Sequence, residues 1–300
     1  MKTMMFFCTI LWVSPAFAAE EENGESPATE EQVTAKEGGK LSLLGMECKS
    51  EEDSLETTPG SPPLDVDDPD TPGCNGWEIN VVTSGEIGKG MALETPLMDI
   101  NYGIGDNIQL KYEVPYLFNK VDGVSTSGVG RAEFGIKYRF FEDESRDMSM
   151  AIYPQLEFAM PGTAAAEGDE GKGTLTKLPV LFSTKVGETS KGDVMLTANL
   201  GYNISTEPGA QSYVSAALGI GFPVMSKVAM MLEASTEQAA SKDMEGVRAG
   251  LIKANIGLIG GITPHLMWFG SVGEDYSSSD ADDSTHTCLL LGLRILAGGP

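Results

Sequence analysis

The charged residues of this chain fall at alternate positions. In MDINYGIGDNIQLKYEVPYL (98–117), Asp99, Lys111 and Glu113 share one side of two extended runs. Met98, Ile100, Tyr102, Ile104, Ile108, Leu110, Tyr112, Val114 and Tyr116 share the other. In RAEFGIKYRF (131–140), Arg131, Glu133, Lys137 and Arg139 alternate with Ala132, Phe134, Ile136, Tyr138 and Phe140. Successive side chains of a strand point to opposite faces, so each run has one apolar face and one charged face. Glu157, Lys177, Lys185, Glu233, Lys253 and Arg294 extend the charged face along later runs. Groups gathered this way can knit ion pairs, or they can line a wet path and select a solute. The turn Gly105-Asp106-Asn107 pairs Ile104 with Ile108 and so sets Asp99 opposite Glu113. Two facing carboxylates repel unless a cation lies near; Lys111, Arg131, Lys137 and Arg139 are the expected partners.

Catalysis has little to work with. The chain has two histidines. His265 belongs beside a short turn and His286 near a loop at the opposite rim, and neither stands in a triad-like Ser/Asp arrangement. No enzyme and no cofactor are expected. No stretch has metal-ligand spacing. The cluster DVDDPD, with Asp65, Asp67, Asp68 and Asp70, misses the calcium-loop pattern because Pro69 and Pro72 fall where ligands or the glycine should be. It reads as a solvated acidic linker.

The elements that position the charged face begin at Trp77. Twelve period-two runs follow: about 77–84, the two arms of the 98–117 hairpin, then about 130–141, 147–160, 174–186, 193–204, 211–222, 227–238, 245–257, 264–275 and 285–296. Connections alternate in length. GDN, EDESR, GETSKG, PVMS and LIGGIT are short, whereas Asn119–Val129, PGTAAAEGDEGKG and YSSSDADDS are long. Short turns at one end and long loops at the other are the pattern of an outer-membrane barrel.

Upstream, Lys2 followed by the apolar run MMFFCTILWV and Ala16-Phe17-Ala18 reads as a signal peptide, 1–18. Residues 19–74 contain 16 acids and 3 bases with almost no aromatic side chains, and are expected to be a disordered acidic periplasmic segment. The barrel is assigned to 75–300. The whole chain carries 44 acids and 20 bases, which argues against a nucleic-acid partner. Cys48 and Cys74 bracket an acidic loop in an oxidising compartment and are candidates for a disulfide; Cys288 is left over, in a strand.

Alternating strands fit a soluble sandwich with an apolar interior or a membrane barrel with an apolar exterior. Three features favour the second. Nearly all the runs are about ten to thirteen residues long, where soluble strands average ~5–6 and tilted spanning strands need ~9–11. The polar face is rich in Gly, Ser, Asn and paired charges. Aromatic residues gather near strand ends. The expected fold class is therefore all-β, an antiparallel transmembrane β-barrel of about twelve strands. Its lumen would hold Glu78, Asp99, Glu113, Glu133, Glu157, Glu233 and Glu237 against Lys111, Arg131, Lys137, Arg139, Lys177, Lys185, Lys253 and Arg294, a near balance.

The stretches PPLDVDDPDTPGCNGWEINV, DINYGIGDNIQLKYEVPYL, SGVGRAEFGIKYRFF and KLPVLFSTKVGE resemble the outer-membrane barrels named for the meta-pathway of phenol degradation. The resemblance covers about 62–296 and is strongest over the first hairpin and G-x-G-x-x-E-x-G-x-K-Y-R-F (Gly128 to Phe140). It implies a porin-like transporter in the Gram-negative outer membrane, with no catalytic motif. The chain departs from those barrels in ending GLRILAGGP, without a terminal aromatic. Expected partners are outer-membrane lipid and a small solute, apolar or aromatic, passing through a monomer. The rival expectation is a non-conducting structural or surface-display barrel closed by its own salt bridges. The acidic segment is read as a solvated tail, with a lumen plug or a contact for a periplasmic partner as alternatives.

Overall fold

The computed structural model describes residue 48 and residues 65–163, 173–207, 210–241, 249–278 and 284–299. The signal-peptide reading, most of the acidic segment and parts of three long loops lie outside the described residues. No helix among the described residues is long and apolar enough to cross a membrane.

Twelve antiparallel strands form a closed barrel. They are β1 (Gly76–Ile87), β2 (Met91–Ile104), β3 (Ile108–Val121), β4 (Val124–Val129 with Ala132–Asp143), β5 (Met148–Ile152 with Gln155–Phe158) and β6 (Thr174–Thr189). The second half comprises β7 (Gly192–Ser205), β8 (Tyr213–Met225), β9 (Val228–Ala239), β10 (Gly250–Thr263), β11 (Leu266–Ser278) and β12 (Ser284–Gly298). Each strand pairs with its sequence neighbours, and β1 closes the ring on β12 from Gly76↔Gly298 to Ile87↔Thr287. Closure leaves no strand edge bare, a requirement where no water can satisfy the peptide groups.

The breaks within β4 and β5 have local causes. β4 bends at Gly130-Arg131, between its ladder to the upper half of β3 and its ladder to the lower half. β5 breaks at Tyr153-Pro154, because proline cannot donate to a ladder. The stretch Asn119–Val129, expected as a long loop, is instead a hairpin. β3 continues to Val121, turns through Asp122-Gly123, and returns as the first part of β4. Both turn residues have positive φ (50° and 81°), the geometry a two-residue hairpin needs.

The outer surface is the apolar one. Leu200, Leu291 and Ile252 are more than 60% exposed, and the alternate residues Phe134, Ile136, Tyr138 and Phe140 of β4 all face outward. The charged alternates Glu133 and Lys137 are almost fully buried. Trp77 packs tilted against Tyr102 near the short-turn end (ring centroids 4.5 Å apart), and Tyr116 against Phe118 on the loop side (5.1 Å); aromatic rings favour such interfacial positions.

Two apolar groups lie inside as well, which strand periodicity does not single out. Val82, Ala229, Ile259 and Phe269 pack together with Leu97, Met267 and Leu290, and Ala151, Tyr153 and Leu181 form a second cluster.

Candidate functional site

The lumen is organised in rows, because ladder registers place inward residues of adjacent strands side by side. Asp99, Glu113, Glu133 and Glu157 stand directly opposite one another on β2, β3, β4 and β5. The next row toward the short-turn end is Asn101, Lys111, Gly135, Gln155 and Lys177. Four carboxylates in a line would repel strongly. Lys111 Nζ answers two of them, at 2.8 Å from Glu113 and 2.7 Å from Glu133. Lys177 Nζ lies 2.6 Å from Glu133 and 3.3 Å from Glu157. Arg131 caps the row from above, 2.7 Å from Glu157 and paired also with Glu207. Asp99 accepts hydrogen bonds from Asn80 Nδ2 (2.9 Å) and Asn101 Nδ2 (3.0 Å). Gly135 matters here: a Cβ at that position would lie 3.0 Å from the Tyr153 ring, over which Lys137 Nζ sits 4.9 Å from the centroid.

Lys137 and Arg139 do not serve this network, contrary to expectation. They hold residues 65–72, a strap that enters the barrel. Lys137 Nζ donates to the carbonyl oxygens of Asp68 (2.8 Å) and Asp70 (2.9 Å), and lies 3.7 Å from the Asp68 carboxylate. Arg139 pairs with Asp70 at 3.3 Å. Asp67 exchanges two hydrogen bonds with the Asn199 amide of β7 (2.8 and 2.7 Å). Val66, 2% exposed, lies over Gly219 of β8. At the far end, Asp65 meets Lys253 (3.0 Å) and Asn255 of β10, and its N–H donates to Glu233 of β9 at 3.1 Å.

β4 and β10 stand on opposite sides of a twelve-strand ring. Five residue steps of extended chain reach about 17 Å, so Asp65 to Asp70 crosses the lumen from wall to wall. The solvated-linker reading of DVDDPD is thereby corrected for 65–74. Asp65, Asp67, Asp68 and Asp70 each have a backbone group hydrogen-bonded to the wall or within a local turn, and five wall residues, Lys137, Arg139, Asn199, Lys253 and Asn255, carry charges or amides that match the segment. The strap is anchored where it leaves the barrel. Thr71 Oγ1 donates to the Asp106 carbonyl (2.8 Å), and Gly73 passes so close to Gly103 that a Cβ there would overlap its carbonyl oxygen. Cys74, buried, is disulfide-bonded to Cys48.

The remaining sequence candidates take other places. Arg294 pairs with Glu78 (3.2 Å) and donates to Asn80 Oδ1 (3.1 Å), with the Phe269 ring beneath it. Lys185 sits at the short-turn rim against Asp193 (2.7 Å), away from the rows. Glu237 lines the cavity. Two further inward acids, Glu86 and Glu94, also line it, and with the strap aspartates they overturn the expected charge balance. The lumen is acidic.

What remains open is a cavity of about 710 Å³, bordered by Asp65–Asp70, the lysine row and the β1, β10 and β12 walls. Asp67 and Asp70 line it. Desolvation by the surrounding protein raises both above the ordinary carboxylate range, Asp70 to about 6, with neighbouring Asp68 adding to the shift and Arg139 opposing it.

Sequence reasoning missed one further grouping: Glu86, Asp275 and His286 bring ligand-type atoms within 4.8 Å of one another. They come from three strands, so no local spacing announces them.

No protein-family model and no curated protein sequence matches the chain. Solved structures do. The COG4313 outer membrane channel from Pseudomonas putida F1 superposes with a TM-score of 0.58 at 12% identity, covering 78% of this chain and all of that one. The KdgM porin in complex with disordered oligogalacturonate gives 0.50 at 12% identity, covering 72% and 98%. The chain has the fold of porin-like outer-membrane β-barrels.

Proposed function

We propose that this protein is an outer-membrane channel for small hydrophilic solutes, with a preference for cations, whose path is closed by its own strap. The observation that carries the reading is the strap itself, tied to β4 by Lys137 and Arg139 and to β10 by Lys253 across the lumen. A barrel with a purely structural role has no use for a polar cavity bounded by a segment held to both walls through ion pairs and hydrogen bonds. The fold shared with porins supports a channel, the apolar outer face supports residence in the outer membrane, and the acidic lining supports cation preference. The network of carboxylates and lysines has no substrate-directed nucleophile, which supports transport over catalysis. The resemblance to the phenol meta-pathway barrels rests on the quoted motifs alone.

A second reading, passage of apolar or aromatic molecules, has one observation in its favour: the inward patch of Val82, Leu97, Phe269 and Leu290. Planar-bilayer recording of the full chain, beside a chain lacking 19–72, tests the first reading. The full chain should be mostly closed and the deleted chain open and cation-selective; equal currents would refute a strap-closed channel. Uptake of phenol into liposomes tests the second.

A further inference from the structure

We infer that Glu86, Asp275 and His286 bind a divalent transition-metal ion at the loop end of the lumen. The three side chains converge from β1, β11 and β12, with their ligand atoms all within 4.8 Å of one another. Asp275 and His286 are directly paired across β11 and β12, and Glu86 is paired with Cys288, two positions along from His286. His286 Nδ1 lies 2.9 Å from Asp275 Oδ1. The Cys288 thiol donates to the other oxygen of Asp275 at 3.2 Å and so fixes the carboxylate, making Cys288 a positioning residue. Gly88 seats the imidazole, since a Cβ there would come within 2.3 Å of the ring.

Two carboxylates meet at this point with one imidazole. Among the described residues the Glu86 carboxylate has no hydrogen bond or ion pair, and Lys253, whose charge reaches Glu86, is ion-paired with Asp65. Two carboxylates against one imidazole favour a cation at this point. A nitrogen with two carboxylate oxygens is a donor set of tetrahedral zinc, whose bonds of ~2.0–2.2 Å ask the His286–Asp275 pair to open slightly and Glu86 to close in, with a fourth position left for water. Glu86 and Cys288 line the large cavity, so an ion can reach the site from there. β1 and β12 are the two ends of the barrel sheet, so a bound ion would pin its closing seam.

The test is zinc titration of the folded full chain in detergent, read by competition with a chromophoric chelator. Excess calcium is present throughout to occupy carboxylate-only sites on the acidic segment. One equivalent of zinc should bind, and His286→Ala and Asp275→Asn should each weaken it at least tenfold, with His265→Ala unchanged. Glu86→Gln, at an exposed rim position whose loss does not threaten folding, should weaken it as well. Absence of a calcium-resistant equivalent, or binding by Glu86→Gln equal to that of the parent, would overturn the assignment.

Discussion

Lys137 and Asp68 are each buried, and they meet inside the barrel although 69 positions separate them in sequence. The lysine gives its ammonium protons to two strap carbonyls as well as to the carboxylate's field. A single side chain on β4 thus satisfies most of what the near end of the strap requires.

Replacing Lys137 by Met should release the strap. Breaking a buried pair by removing one partner costs about 3 kcal/mol or more, over a hundredfold in the docked-to-released ratio. Single-channel recording should show longer open intervals and a larger mean conductance than the parent chain. Unchanged gating would mean that the strap is held elsewhere.

Acidification should tighten the strap. The pKa of Asp70 is raised to about 6 when docked, chiefly because protein displaces water around it, against an ordinary value of 3.8. The docked form therefore binds the proton more tightly. Docking is strongest below about pH 4, weakens as pH rises through 6, and is then flat. Asp67, raised for the same reason, acts in the same sense. Conductance measured from pH 7.5 to 5 should fall with a midpoint near 6, and Asp70→Asn should remove most of that dependence.

Glu133 holds two lysines at once, Lys111 and Lys177, from a position 4% exposed. Glu133→Gln leaves each ammonium with a single carboxylate, Glu113 for Lys111 and Glu157 for Lys177, in a desolvated row. A loss of about 1–3 kcal/mol is expected, read as a lower midpoint of urea unfolding in phospholipid vesicles. Lys185→Met, at the rim, should cost less than 1 kcal/mol by the same assay, as exposed pairs do.

Leu200 tests the inside-out arrangement. It projects from the middle of β7 on the outer face and is 62% exposed. Leu200→Arg should destabilise the vesicle-inserted barrel by about 2–4 kcal/mol, the cost of a cation at the bilayer midplane. In a water-soluble barrel the same change would be harmless or favourable, so the sign of the effect decides between the two.

How much of this could be read from residues alone depended on the range of the interaction. Alternation in 98–117 and 131–140 is a local property, and it put Asp99 opposite Glu113 because a three-residue turn leaves one register. The twelve strands followed from the same periodicity. Asn119–Val129 was misjudged because its polar Ser and Thr suit both a loop and a wet strand. The strap was not legible: DVDDPD has the composition of a solvated tail, and only the ring, placing Lys137 and Lys253 on opposite walls, turns those aspartates into ligands of the barrel. Glu86, Asp275 and His286 were hidden for the same reason, since the closing pair β1–β12 joins residues some two hundred positions apart.

That closing pair has a consequence for biogenesis. Until β12 arrives, β1 and β11 each present a full row of peptide groups with nothing to bond, and hydrocarbon offers no substitute. A nascent chain shortened within Ser284–Gly298 should therefore not yield a slightly weaker product. It should yield none, with protease quality control clearing it before insertion is complete.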